Sequence, residues 1–300
     1  MNQNMSDQNP LVSIIMNCFN GEKYLLKAID SVLKQKYQNW ELIFWDNKST
    51  DNSEKIFKSI NDKRFKYFRS EKHTSLYKAR NLAIEKANGI YLSFLDTDDY
   101  WLPNKIEEQV NLINKKNTGV VYSNLWIYND QKNKKKLFIK KQLYQGNIFN
   151  ELFENYNIAI NTVFIKKSKL LELDKKFDER FNHVGDFDLM IRLSKITSFA
   201  ALSHPTAVFR AHGNNLSTTD KLGSIKELET WLNENKGDLS PVNIGHLQKR
   251  IDTRKIIYFK LNNRYSDSIK LLFKGKENLT LKNLAITIIP SFILKKILWY

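Results

Sequence analysis

Residues 11–95 alternate short apolar runs with helix-spaced apolar stripes, and that alternation restricts the fold class more than any other feature of the chain. Leu11 to Met16 (LVSIIM) is a continuous apolar run of the kind buried on both faces of a parallel sheet, and Asn20-Gly21 supplies a turn after it. A helix fits Glu22 to Gln35, because Tyr24, Leu25, Ala28, Ile29, Val32 and Leu33 recur near helical spacing. Trp40 to Trp45 (WELIFW) reads as a second buried strand ending at Asp46-Asn47, and Ser49 to Ser53 offers caps for a helix over Glu54 to Ile60. Phe65 to Phe68 then make a third strand, Leu76 to Ala87 a third helix, and Ile90 to Leu95 a fourth strand. The sequence βαβαβαβ predicts a parallel sheet covered by helices on both faces.

Ligands bind such sheets outside the carboxyl ends of the strands, where loops and helix N-termini converge. Three polar clusters fall at those ends: Asn17-Cys18-Phe19-Asn20, Asp46-Asn47, and Asp96, Asp98 and Asp99. The third is the sharpest, since an apolar strand running into three carboxylates places anions together that repel unless a cation sits among them. Carboxylate oxygens select Mg²⁺ or Mn²⁺. Asp96 and Asp98 share parity, so a strand continuing through them would face both toward one ion. An acidic turn before the helix that Pro103 opens is the structural alternative.

Composition narrows the class. At 300 residues with 42% hydrophobic content the chain can bury a sizeable core. Cys18 stands alone, so no intrachain disulfide forms and a reducing compartment is expected. The first ten residues, MNQNMSDQNP, are polar, lack the apolar region of a secretory signal and are expected to be disordered. No apolar run reaches the roughly 20 residues that span a bilayer. Leu284 to Leu294 is the longest candidate, and it contains Pro290. The net charge of +16 predicts attraction to anions: nucleic acid, a membrane surface or phosphorylated small molecules. The run KNKKKLFIKK, Lys132 to Lys141, reads as a solvated hairpin tip, and no nucleic-acid-binding signature accompanies it, so no nucleic-acid partner is expected.

The stretch VSIIMNCFNGEKYLLKAIDSVLKQKYQNWELIFWDNKSTDNS, followed by KARNLAIEKANGIYLSFLDTDDYWLP, resembles the N-terminal half of family 2 glycosyltransferases of the GT-A fold. The likeness continues through Val120 to Asn124, Val184 to Leu193 and Phe209 to Ser217. It implies a Rossmann-like, mostly parallel sheet flanked by helices. The implied division is a catalytic domain over 11–220, with a nucleotide-sugar half to 110 and an acceptor half from 111, then a helical region over 221–300. It also implies roles. Asp46 matches the acid that accepts a hydrogen bond from the donor base, and Phe19 an aromatic packed near that base, beside Asn17 in the first strand-end cluster. Asp98 matches a direct metal ligand and Asp96 its partner near the ribose. Arg80 and Asn81 match an element under the sugar nucleotide, Asp186 the catalytic base, and His212 a residue near metal and diphosphate. Two departures stand out: Asn17-Cys18-Phe19-Asn20 replaces the common Pro-Thr-Tyr-Asn, and Asp46-Asn47-Lys48-Ser49 replaces Asp-Asp-Gly-Ser, which puts strict uridine preference in doubt.

The chemistry of sugar transfer needs a stabilised diphosphate leaving group, which Mn²⁺ or Mg²⁺ supplies, and removal of the acceptor proton, which a carboxylate supplies. One base opposite the leaving group gives inversion. Asp186 and Asp188 both open a helix-like segment, where acids also complement the helix dipole; Asp188 is read as structural. Cys18, Trp45 and Trp126 are read as packing residues. The expectation is a cytoplasmic enzyme taking a nucleotide-sugar donor, with a UDP-sugar foremost, and a glycan or lipid-linked acceptor in cell-surface polysaccharide biosynthesis, including lipopolysaccharide. The alternatives are a sugar-1-phosphate nucleotidyltransferase, or a non-catalytic polybasic binding protein. Beyond 220, Ile225 to Leu232, Ile244 to Leu261 and Tyr265 to Phe273 look amphipathic. Leu279 to Tyr300 is an apolar, basic tail that docks on an anionic bilayer at the inner membrane face, or packs on the protein or a dimer partner.

Overall fold

Val12, Ile14, Met16 and Cys18 share one side of the first strand and pack against Leu25, Ala28, Ile29 and Val32, the apolar stripe of the first helix. In the computed structural model, which describes residues 9–275 and 280–297, these elements are β1 (Val12–Cys18) and α1 (Glu22–Leu33). They are followed by β2 (Trp40–Asp46), α2 (Ser53–Lys58), β3 (Phe65–Arg69), α3 (Leu76–Glu85) and β4 (Tyr91–Phe94). β1 pairs in parallel with β2 and β4, and β2 with β3, as the alternation predicts. Every residue of β2 is buried, which accounts for its unbroken apolar reading.

The rest of the sheet is built from antiparallel pairings. β5 (Tyr100–Trp101), α4 (Lys105–Lys116), β6 (Val120–Asn129), β7 (Lys134–Leu137), α5 (Phe149–Glu154), β8 (Phe164–Lys166), α6 (Lys167–Leu171), α7 (Gly185–Ser194) and β9 (Phe199–Ala211) complete it. The order is β3-β2-β1-β4-β8-β6-β9-β5, with β7 paired to β6. β4 with β8, β6 with β8, β6 with β7 and β5 with β9 are antiparallel. The sheet is therefore mixed, with the expected parallel pairing in its first half and antiparallel pairing in its second.

β4 also stops sooner than its parity reading requires. It ends at Phe94, and Asp96 to Asp99 lie in a turn before β5. Asp96 and Asp98 are thus not successive same-side residues of one strand. Gly21, before α1, approaches this turn so closely that a Cβ there would lie 2.8 Å from Thr97 Oγ1.

The described chain divides into two compact units. One runs to Phe149 and adds Asn157–Arg210; the other joins Asn150–Tyr156 to the chain from Ala211. The second contains α8 (Leu216–Thr219), α9 (Lys221–Asn235), α10 (Pro241–Leu261), α11 (Tyr265–Phe273), α12 (Leu281–Ile288) and α13 (Ser291–Ile297). Ser240 caps α10, its hydroxyl accepting from Asn243 N at 3.2 Å, and Pro241 suits the first turn. Arg250 donates to the carbonyls of Leu152 and Phe153 at 2.9 and 3.0 Å, holding the 150–156 segment against α10. Ile256, Leu272, Ile286 and Leu294 form the unit's small C-terminal core. Of the expected tail, Leu279 and residues 298–300 lie outside the described residues.

Candidate active site

β1, β2 and β4 deliver their polar ends side by side, because Asn17 pairs with Trp45, Cys18 with Asp46, and β4 lies on the other flank of β1. At the end of β1 the Asn17 side-chain nitrogen is buried with no hydrogen-bond partner. A buried amide N–H left unpaired costs about 1–3 kcal/mol. Cys18 beside it is buried, and burial pushes its thiol pKa up, which fits packing and not nucleophilic attack.

Asp46 is fully buried. Its Oδ1 accepts from Ser49 N at 2.7 Å and its Oδ2 from Tyr67 Oη at 2.7 Å, so one oxygen serves the β2–α2 loop and the other is tied to β3. Asn47 explains one departure from the usual motif. Its Oδ1 accepts from Thr74 N and Oγ1 at 3.1 and 3.0 Å, while its Nδ2 donates to Thr74 O at 2.8 Å. A carboxylate could not make that last bond. The segment so pinned carries His73, whose ring lies 4.2 Å from that of Phe19 at 49°, and Phe19 is 52% exposed. Lys48, where glycine is usual, keeps the left-handed backbone at φ 69° and is exposed. Phe19 and His73 thus present a ring pair just past the end of β1; nothing in the sequence marked His73.

α3 carries Arg80 beneath the acidic turn. Arg80 is buried and donates to Asp96 Oδ1 at 2.7 Å, so Asp96 is held by a partner of opposite charge. Asn81 is engaged within the protein: its amide donates to Phe177 O at 3.0 Å and Glu179 Oε1 at 3.1 Å and accepts from Phe177 N at 3.0 Å. It anchors the 177–179 segment to α3.

Asp98 is half-buried in the turn, and its backbone oxygen accepts from Arg210 Nε at 3.1 Å. Asp99 is buried. Desolvation, then the Asp98 and Asp96 charges, push its carboxyl well above the usual range, despite bonds from Arg210 N at 2.9 Å and Asn161 Nδ2 at 2.6 Å. Arg210 also donates to Asp130 Oδ1 at 2.8 Å, and its guanidinium sits 4.6 Å from the Tyr24 ring centroid and 5.6 Å from those of Tyr100 and Tyr128. Asp130, at the tip of the β6–β7 hairpin, and Asn161 were not foreseen, because their partners lie far along the chain.

Asp186 opens α7 half-buried. Burial raises its carboxyl pKa, with the Arg80 charge opposing. Asp188 behaves as the structural acid: it is buried and pairs with Arg192 at 2.7 Å. His212 lies in the second unit, within its own loop, where its backbone N donates to Asn215 Oδ1 at 2.6 Å and its Nδ1 accepts from Asn214 N at 3.2 Å.

Fold and site together define an α/β enzyme whose strand ends present an amide, a ring pair and a carboxylate turn. The Glycosyl transferase family 2 model matches residues 13–173, and the chain belongs to that family. It is a glycosyltransferase. It is 33% identical over 193 residues to the Escherichia coli UDP-Glc:alpha-D-GlcNAc-diphosphoundecaprenol beta-1,3-glucosyltransferase WfgD, covering 64% of this chain and 73% of WfgD. It is 28% identical over 240 residues to the amylovoran biosynthesis glycosyltransferase AmsB of Erwinia amylovora, covering 76% and 78% of the two chains. Among solved structures, S. aureus TarS in complex with UDP-GlcNAc superposes with a TM-score of 0.67 at 17% identity, covering 87% of this chain and 81% of that one. Family membership sets aside the nucleotidyltransferase and the non-catalytic binding protein.

Proposed function

We propose that the chain transfers a sugar from a nucleotide-sugar donor, with a UDP-sugar foremost, to a hydroxyl of a lipid-linked glycan acceptor, with inversion at the anomeric carbon. The observation that carries this is the convergence at one set of strand ends of an unpartnered Asn17 amide, the Phe19–His73 ring pair and the Asp96–Asp99 turn. The names of WfgD and AmsB support a role in surface-polysaccharide assembly.

The contacting rings of Phe19 and His73 would together form one wall against the base, with Asp46 keeping the β2–α2 loop in shape. Arg80 fixes Asp96 and, through it, the turn. Asp98 would hold a divalent cation at the turn. The fit rests on the donor set and on Asp99: hard carboxylate oxygens suit Mn²⁺ or Mg²⁺, and burial, with the Asp98 and Asp96 charges adding to it, raises the Asp99 pKa, a repulsion that a cation at the turn would relieve. Such an ion supplies Lewis-acid stabilisation of the departing diphosphate. Asp186 takes the proton from the acceptor hydroxyl as its oxygen bonds to the anomeric carbon. The bond from that carbon to the diphosphate oxygen breaks, and its electron pair leaves with the nucleotide. The test is a transfer assay pairing a panel of nucleotide sugars with a diphospholipid-linked acceptor. The reading requires a product of opposite anomeric configuration to the donor; retention, or no transfer from any donor, would count against it.

We place the enzyme at the inner membrane face as a peripheral protein. Among the described residues no helix is long and apolar enough to cross a membrane. α11 exposes Tyr265, Ile269 and Phe273 at helical spacing, and α12 and α13 expose Leu281, Ile288 and Phe292, with Lys270, Lys274 and Lys282 on the same helices or just beyond them. Each lysine near an anionic surface contributes roughly 1 kcal/mol, fading within a Debye length. Full-length protein should therefore co-sediment with phosphatidylglycerol-containing vesicles, less so as salt rises, and Phe273→Glu with Ile288→Glu should lose most of that binding. Unchanged sedimentation, or wild-type protein that dimerises through these residues and ignores vesicles, would assign the face to a second copy instead.

A further inference from the structure

We propose that Tyr77 is the positioning residue for Asp186, setting the rotamer and protonation of the base; the inference rests on Asp186 being that base. Tyr77 lies on α3, one turn before Arg80, and is buried to 2% exposure. Its hydroxyl donates to Asp186 Oδ1 at 3.4 Å and accepts from Asp186 N at 3.2 Å. One hydroxyl thus engages both ends of the same residue. Asp186 N belongs to the first turn of α7, where backbone N–H groups have no partner within the helix, so the Tyr77 hydroxyl satisfies one of them. Phe187 N donates to the same Oδ1 at 2.8 Å. Oδ1 is therefore fixed from two directions, and Oδ2 is the oxygen left to receive a proton.

The residue before the base makes this approach possible. A Cβ on Gly185 would lie 2.6 Å from Tyr77 Cδ2 and Cε2, so any larger residue must displace the ring. The ring is otherwise held by stacking on Phe177, centroids 5.2 Å apart, and by the Arg80 guanidinium 5.4 Å from its centroid. Arg80 is the same group that grips Asp96 at 2.7 Å. Tyr77 therefore bridges the acidic turn and the base: one face meets the cation that organises the turn, and its hydroxyl meets the carboxylate that would take the proton.

The charged and titratable groups facing Asp186 are Arg80 and Tyr77 from α3, while Asp188 on its own helix is paired with Arg192. Burial raises the Asp186 pKa, and the Arg80 charge and the hydrogen bonds from Phe187 N and Tyr77 lower it. Removing the hydroxyl deletes one lowering contribution and leaves the burial. Activity needs the carboxylate, so the acid limb of the pH–kcat profile should move to higher pH, by up to about one unit for a hydrogen bond of ordinary strength.

The experiment compares wild type, Tyr77→Phe and Asp186→Asn, measuring kcat and donor KM across pH together with thermal unfolding. Tyr77→Phe keeps the ring and should lose up to roughly 10-fold in kcat on the acid limb, keep donor KM, and regain that loss as pH rises. Gly185→Ala, which crowds the ring with the hydroxyl still present, should shift the same limb in the same direction. If Asp186→Asn is inactive while Tyr77→Phe keeps the wild-type profile, or loses kcat equally at all pH with a lowered melting temperature, Tyr77 is only a packing residue. If Asp186→Asn stays active, the base assignment itself fails.

Discussion

Asp186→Asn is expected to abolish transfer while leaving nucleotide-sugar affinity within about 2-fold of wild type. The amide keeps the size of the side chain and can still accept from Phe187 N, so α7 should start as before. What is lost is the capacity to take a proton. A positioned general base contributes typically 10²–10⁴-fold, and the fall in kcat should lie in that range with donor binding untouched. The wild-type pH dependence has a defined sign. Burial raises the Asp186 carboxyl pKa from its ordinary value, with the Arg80 charge opposing, so kcat should fall as pH drops through that raised value, earlier than a solvent-exposed aspartate would allow. Near wild-type transfer by the variant would place the base elsewhere. Asp188 is a poor substitute, since Arg192 holds it at 2.7 and 3.0 Å.

The second large effect is expected at Asp98. Asp98→Ala should remove metal-dependent donor binding without unfolding the protein. The Arg210 contact to this residue uses the backbone oxygen, which the substitution keeps. The apo protein should hold its melting temperature or gain slightly, because the Asp98 charge is one of the causes of the raised Asp99 pKa and its removal relieves that repulsion. Wild type should be stabilised by Mn²⁺ with a nucleotide sugar, whereas the variant should not, since only a ligand that binds the native state raises its stability. Differential scanning fluorimetry reads both quantities. A variant stabilised as strongly as wild type would remove Asp98 from the metal site.

The half of the sheet built from β1 to β4 was legible in sequence because its strands are local, with β1, β2 and β4 buried on both faces and β3 a short aromatic edge strand, and each of the intervening helices advertises a 3.6-residue stripe. β5, β8 and β9 were not legible as such. Tyr100–Trp101 and Phe164–Lys166 are too short to show a period, and their pairings join residues far apart in sequence. The same distinction governs the site. Asp96, Asp98 and Asp186 announce themselves as acids next to apolar segments, but what each touches depends on contacts that no spacing encodes. Tyr77 reads as a helix residue until α7 is placed beside it, and Asp130 reads as a turn residue until Arg210 reaches it. The parity argument for Asp96 and Asp98 failed because it extended a strand that ends at Phe94. Asn47 looked like a loss of the usual second acid, whereas its amide both donates and accepts at Thr74.

The central claim is that this chain binds a nucleotide sugar through a cation at the carboxylate turn. Calorimetric titration of wild-type protein with a panel of nucleotide sugars, with Mn²⁺ and then with chelator, tests it most directly. The account predicts measurable affinity for at least one nucleotide sugar with Mn²⁺ and its loss on chelation. Affinity unchanged by chelator, or a response no different from that to any polyanion at the same salt, would contradict it.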